Sequence, residues 1–259
     1  MADLPNNGAA PERLAADVAA RPKPWLIGVD IDGTLSPIVP RPELARLVPG
    51  AADALHALAT REDAWVVVVS GRPLDDLRDL FEIPKSVMLV GSHGAEFDLS
   101  AGMEAEPQPK TDEERERLDA ATVMLERASS RLAGVWVEHK PFAVALHYRL
   151  ADPTAAAPLV ADLDRRLRQT GDLTLHHGHM VLEVAVRRTS KNGAVRFLRE
   201  HLHPTTVVFV GDDESDEHVM ERLEPGDIGV KVGAGETAAS HRLAGPVQVT
   251  AFLTALTAM

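Results

Sequence analysis

The sequence predicts an α/β protein: a Rossmann-like parallel sheet core with a smaller α/β domain inserted into it. Three observations carry this. Short β-branched apolar runs at 25–29, 65–69 and 207–210 have the character of strands buried on both faces. Helical patterns separate the early runs, so consecutive strands should be parallel and wound right-handed. About 120 residues then separate Ser70 from Lys191, whereas a βαβ unit needs only roughly 30.

Residues 1–24 read as a mobile Pro/Ala/Asn leader without chemistry, and they lack a signal-peptide core. After the first strand, residues 49–60 read as a helix with Ala51, Leu55 and Leu58 on one face. The strand at 65–69 leads to a helix opened by Pro73, with Leu74, Leu77 and Leu80 at helical spacing, and a strand follows at 87–90. Residues 91–102 suggest a turn and short hairpin, and Pro107 and Pro109 a linker. A charged helix is expected at 111–132 and a second at 154–169. Strands are expected around them near 135–139, 142–149, 173–176 and 180–184. This gives a core of 25–107 and 187–259 and a cap of 108–186, hinged at the linkers near 107–112 and 186–190 and placed to overhang the strand ends. The βα rhythm returns with a helix at 191–202, strands at 207–210 and 228–232, Gly-rich turns at 233–235 and a last strand at 247–249.

A net charge of −12 over 259 residues argues against nucleic acid or an anionic membrane as partner, and no run reaches membrane-spanning length. With no cysteine there is neither a disulfide nor a thiolate site. The reading is a cytoplasmic protein, consistent with a monomer, acting on a small molecule.

Ligands in open α/β sheets bind beyond the carboxyl ends of the strands. The residues expected there are Asp30-Ile31-Asp32-Gly33-Thr34, Ser70-Gly71-Arg72, Lys191 and Gly211-Asp212-Asp213. Clustered carboxylates with a hydroxyl and an ammonium suit phosphoryl transfer. Asp30 is placed as nucleophile. Asp32, two residues on and so on the same side of an extended chain, is placed as general acid and base. Like charges around a phosphate call for a cation with hard oxygen ligands, Mg²⁺. Its ligands would be Asp30, the Asp32 carbonyl and Asp212, with Asp213 and Asp216 at or near the metal; the plainer reading of 212–216 is an acidic helix N-terminus. Ser70 and Lys191 would contact phosphate. A lysine opening a helix opposes the dipole, so something anionic should lie beside it. His176, His177 and His179 read as a surface hairpin rather than a zinc site.

Together these segments resemble the haloacid dehalogenase superfamily and, within it, the trehalose-6-phosphate phosphatases. The narrower resemblance rests on Ser70-Gly71-Arg72-Pro73, Gly91-Ser92-His93-Gly94-Ala95-Glu96 and Gly211-Asp212-Asp213 with Ser215-Asp216-Glu217. In the cap it rests on Glu138-His139-Lys140, His147-Tyr148-Arg149 and Glu183. It implies Ser70, Gly71 and Lys191 as phosphate contacts and Arg72, His93, Glu138, Lys140, Arg149, Glu183 and Asn192 as substrate contacts, with Glu138, Lys140 and Glu183 on the sugar hydroxyls. Its expected substrate is trehalose 6-phosphate, with another glycosyl or pseudo-disaccharide phosphate, or a non-catalytic phospho-sugar sensor, as alternatives. The chain has Ala185 and Val186 where that family usually carries a basic residue and a proline, and Arg187 and Arg188 could supply charge from shifted positions.

Overall fold

The computed structural model describes residues 10–99, 101, 110–178, 180–187 and 189–259. The chain divides into two compact units, Met1–Glu106 with Ser190–Met259, and Pro107–Thr189. Pro107, Pro109, His179 and Arg188 lie outside the described residues.

The first unit opens with α1 (Ala10–Ala19), followed by β1 (Trp25–Val29), α2 (Ala51–Ala59), β2 (Ala64–Val69), α3 (Leu74–Asp79), β3 (Met88–Gly91) and β4 (Glu96–Asp98). The second unit holds α4 (Asp112–Ser129), β5 (Trp136–His139), β6 (Ala143–His147), α5 (Pro153–Gln169), β7 (Thr174–Gly178) and β8 (Val181–Ala185). The chain then returns to the first with α6 (Lys191–Leu202), β9 (Thr206–Gly211), α7 (Glu214–Met220), β10 (Ile228–Val232), β11 (His241–Leu243) and α8 (Pro246–Thr257).

The strand order in the first unit is β11-β10-β9-β1-β2-β3-β4, parallel throughout except for the β3–β4 hairpin. β1 is central, paired to β2 on one side and β9 on the other, and all of its residues are buried. The sheet has a packed layer on each face. Ile27, Val29, Val66, Val68, Val208 and Val210 pack on one; Leu26, Val67, Val69, Val207 and Phe209 pack with α6 and α7 on the other. Because β1, β2 and β9 run in register, Asp30, Ser70 and Asp212 emerge at the same edge of the sheet.

Two elements differ from expectation. The leader gives way to α1, whose Leu14, Ala15 and Val18 are buried in the same core cluster as α8. Its Pro- and Ala-rich composition disguises one apolar face. The strand expected at 247–249 is the first turn of α8, and the last strand lies at His241–Leu243. Pro246 stands at the first helical position, where its missing N–H costs nothing, and Val249, Phe252, Leu253 and Leu256 form one buried stripe.

In the second unit the order is β5-β6-β8-β7, all antiparallel. Val144, Leu146, Leu182 and Val184 are buried on one face, while α4 packs along β5 and β6. Thr111 and Glu114 form a capping box at the start of α4, and Arg187 holds Glu114 through two hydrogen bonds of 2.9 and 2.7 Å. The Arg187 side chain also lies 4.3 Å over the Phe142 ring. Its charge is thus engaged at the start of α4. No helix among the described residues is long and apolar enough to cross a membrane.

If α1 is part of the core, Leu14→Ala should cost about 2–5 kcal/mol, as Leu253→Ala should. Urea unfolding of both variants measures this. A loss under about 0.5 kcal/mol for Leu14→Ala, the range of ordinary surface substitutions, would make the segment a passive leader after all.

Candidate active site

Ile31 is buried in the core below the sheet edge, so Asp30 and Asp32 face the other way. Asp30 continues the β1 ladder, its N–H donating to the Val210 carbonyl at 3.0 Å, and is itself buried. Lys191, the first residue of α6, is 1% exposed. Its Nζ donates to Asp30 Oδ1 and to Asp216 Oδ1, both at 2.8 Å, and lies 3.8 Å from Asp213 Oδ1. These carboxylates are the anionic neighbours that its position against the helix dipole requires.

The acidic turn after β9 does two jobs. Asp213 is the N-cap of α7: its Oδ1 accepts from the Asp216 N–H at 2.9 Å and from Ser215 Oγ at 2.7 Å. Asp216 reciprocates, its Oδ2 accepting from the N–H groups of Asp212 and Asp213 at 3.0 and 3.2 Å. Asp212 is the carboxylate left to project. It lies directly against Gly33 (φ +87°), where a Cβ would collide with it, and Thr34 Oγ donates to its Oδ1 at 3.3 Å.

Asp30, Asp212 and Asp216 can each place an oxygen within 4.8 Å of the others. Asp213, expected among the metal ligands, is instead turned into the cap. Asp216 belongs to the cluster by position, but Lys191 and two amides already occupy its oxygens. Asp30 and Asp212 are therefore the better ligands.

The electrostatics suit a dication. Burial pushes the Asp30 carboxyl up to about 7; Lys191 pulls it down, while Asp213 and Asp212 push it further up. Burial, with Asp216 and Asp213 close by, pushes Asp212 up to about 6. Asp216 is raised by burial as well. Burial disfavours the Lys191 ammonium, yet Asp30 and Asp216 more than offset this and hold it above its ordinary range. For Asp213 burial is outweighed by Lys191 and by bonds from Asp216 and Ser215, so it stays well below the usual carboxylate range. An all-oxygen donor set carrying excess negative charge suits Mg²⁺.

Asp32 is gripped by Arg72: Nε to Oδ2 at 2.6 Å and a terminal nitrogen to Oδ1 at 2.8 Å. Arg72, expected at the substrate, thus has a carboxylate partner within the site, and its guanidinium lies 4.9 Å over Phe81. Ser70 is buried, and its Oγ accepts from the Arg72 N–H at 3.2 Å, keeping its own proton to donate. The Ser92-His93-Gly94 turn is left-handed at all three residues (φ +48°, +53°, +99°). Bonds from Ser92 N–H to the Arg72 carbonyl and from His93 N–H to the Ser70 carbonyl hold it, with Ser92 Oγ donating to Glu96. The His93 ring lies on Gly71, where a side chain would displace it. Non-glycine residues at positive φ are costly, and such strain concentrates at functional sites. Asn192 is half-buried, one residue into α6.

In the second unit, the pairs Glu138–Ala145, Ala145–Glu183 and Glu183–His176 put these residues in one row across the sheet, on one face. Lys140 Nζ donates to Glu183 Oε2 at 2.5 Å. His147 Nε2 meets Glu138 Oε2 at 2.7 Å and stacks on Trp136, with centroids 4.8 Å apart. Arg149 is exposed and lies two residues past the end of β6. Sequence reasoning assigned no role to His147 or to Lys231. A lysine within the buried run 228–232 was the available signal for the latter.

A family model described as trehalose-phosphatase matches residues 28–248. The chain is 34% identical over 238 residues to the trehalose-6-phosphate phosphatase of Escherichia coli strain K12, covering 88% of this chain and 85% of that protein.

The chain belongs to the trehalose-phosphatase family.

It is also 36% identical over 241 residues to an uncharacterised glycosyl hydrolase of Mycobacterium tuberculosis strain H37Rv, covering 88% of this chain but 18% of that protein. The chain therefore spans less than a fifth of that larger relative. Among solved structures, the C-terminal domain of Candida albicans trehalose-6-phosphate phosphatase matches with a TM-score of 0.80 at 22% identity, covering 96% of this chain and 97% of that one. The C-terminal domain of a Candida albicans trehalose synthase regulatory protein matches at 0.72 and 14% identity, covering 94% and 97%. The fold of the trehalose-phosphatase family is thus shared by proteins with different names, and catalysis has to be argued from the side chains.

The raised carboxyls give a pH signature. Between the ordinary carboxylate range and pH 7 the folded metal-free state binds protons that the unfolded chain does not. This contribution to stability is therefore present at low pH and lost as pH rises through 6–7. Mg²⁺ competes with those protons, so its stabilising shift in melting temperature should grow from pH 5 to pH 8. Calorimetric scans with and without Mg²⁺ read this directly. A shift that is larger at pH 5 would contradict the assignment of Asp30 and Asp212.

Proposed function

We propose that the chain is a Mg²⁺-dependent phosphatase that hydrolyses trehalose 6-phosphate through an aspartyl-phosphate. The observation that carries this is the buried Asp30 carboxylate, hydrogen-bonded to Lys191 beside Asp212, in a chain of the trehalose-phosphatase family. A phospho-sugar sensor gains nothing from such a nucleophile with a second carboxylate, Asp32, two residues away.

Lys191 holds one oxygen of Asp30 and leaves the other to attack phosphorus. The phosphorus–Asp30 bond forms as the bond to the sugar oxygen breaks, and protonated Asp32 delivers its proton to that leaving oxygen. Water then attacks the phosphorus of the aspartyl-phosphate while Asp32 takes its proton, releasing phosphate and restoring Asp30. Arg72 engages both oxygens of Asp32, so the carboxyl turns away from Arg72 to reach the leaving group. Ser70 Oγ and the Lys191 ammonium face the charge on the transferring oxygens. Asp30 and Asp212 would hold Mg²⁺, which when bound neutralises phosphate charge.

The row Glu138, Glu183 and Lys140 is suited to reading sugar hydroxyls, because charged acceptors and donors recognise hydroxyl patterns strongly. On this reading the second unit supplies the choice of a disaccharide, trehalose first; sucrose 6-phosphate and mannosyl-3-phosphoglycerate are the nearest competitors.

Asp30→Asn should abolish phosphate release, and EDTA should do the same reversibly with Mg²⁺. Asp32→Asn should harm sugar phosphates far more than p-nitrophenyl phosphate, whose leaving group hardly needs a proton. Equal losses on both substrates would count against the acid role.

Free phosphate measured across trehalose 6-phosphate, glucose 6-phosphate, sucrose 6-phosphate and mannosyl-3-phosphoglycerate tests the substrate. The disaccharide should be preferred over glucose 6-phosphate by a large factor, since each polar group left unmatched costs ~1–3 kcal/mol. Glu183→Ala and Lys140→Ala should narrow that preference and spare p-nitrophenyl phosphate. Glucose 6-phosphate turned over as well as every disaccharide would remove the sugar-reading role.

A further inference from the structure

Lys231 stands in β10, a strand whose residues are all buried, and is itself 5% exposed. A lysine there loses hydration and needs partners to compensate. In the parallel ladder it lies opposite Gly211, the residue before Asp212. Its Nζ donates to the main-chain carbonyl of Asp212 at 2.6 Å and lies 3.2 Å from Glu217 Oε1. Glu217 is fixed in turn, its Oε2 accepting from Thr237 Oγ and from the Ala238 N–H, both at 3.1 Å.

Asp212 is thus pinned on both sides. Its N–H is held by Asp216 and its C=O by Lys231. Only side-chain rotation remains, and Gly33 and Thr34 restrict that. The pinning has a chemical purpose. Asp30, Asp212, Asp213 and Asp216 crowd together here, and a backbone free to turn would let Asp212 swing away from Asp30 to relieve their repulsion.

We propose that Lys231, buttressed by Glu217, is a positioning residue that fixes the Asp212 main chain so that its carboxylate stays where it can ligate the divalent cation together with Asp30. This deepens the reading of the site given above and rests on it.

Coulomb's law and positioning predict opposite signs, which makes the test sharp. Removing a cation beside a Mg²⁺ site should by charge alone tighten binding. Loss of positioning should weaken it. Mg²⁺ titrated calorimetrically into the full chain should give a Kd at least tenfold higher for Lys231→Met. Lys231→Arg, which keeps charge and donors, should stay within about threefold of wild type. The apparent Mg²⁺ requirement for phosphate release should rise in parallel, with kcat at saturating Mg²⁺ largely kept. Metal-free melting temperatures identify a variant that fails to fold. If Lys231→Met does, Thr237→Val loosens Glu217 without changing any charge and should still weaken Mg²⁺ binding severalfold, where charge alone predicts no change. Unchanged or tighter binding in the folded variant overturns the inference while wild-type binding leaves the metal reading standing. A wild-type chain that binds no Mg²⁺ overturns both.

Discussion

The site is organised around one ammonium. Lys191 is buried at the first turn of α6 and hydrogen-bonded to carboxylates from β1 and from α7. Those residues are 161 and 25 positions away in sequence. Such a charge is tolerable only when its neighbours are complete, because removing one partner of a buried pair leaves the other uncompensated. The pair therefore makes three segments interdependent. Asp216 cannot leave its place without freeing the amides of Asp212 and Asp213, and the capping box of α7 fails with it.

That dependence explains which parts of the site were legible in the sequence. Asp30, Ser70 and Asp212 could be read because each follows an apolar run, and parallel register carries such residues to one edge. The roles of Asp213 and Asp216 could not be separated, because a helix capping box and a pair of metal ligands place acids at the same spacing. Arg72 and Asp32 are 40 residues apart, and nothing local marks them as partners. In the fold, α8 was hidden by three residues, Val247-Gln248-Val249, that alternate like a strand; the stripe from Val249 to Leu256 decides otherwise. α1 was hidden by composition, since alanine carries little periodic signal although it packs as well as leucine where space is short.

The second unit follows a different logic. Its apolar face was readable from alternation, and the opposite face was readable only through resemblance. There Glu138 and Glu183 flank Ala145, a small residue that leaves the row open between them. Each carboxylate is already held, one by His147 and the other by Lys140. Groups fixed before a ligand arrives lose less conformational entropy on binding it, which favours the recognition role proposed for this row over a purely structural one.

The clasp between α1 and α8 bears on how the chain is made. During synthesis β1 leaves the ribosome long before β9, its neighbour in the sheet, and α1 waits longer still for α8. At ~5–20 residues per second the central strand stands without one partner for roughly ten to forty seconds. In that interval Pro107–Thr189 emerges whole, as the contiguous unit whose internal contacts need nothing further downstream. The nascent core must therefore carry exposed valine-rich strands past a unit that can already close. This makes it the unit whose strands stay open longest during synthesis and the one vulnerable to truncation of its last helix.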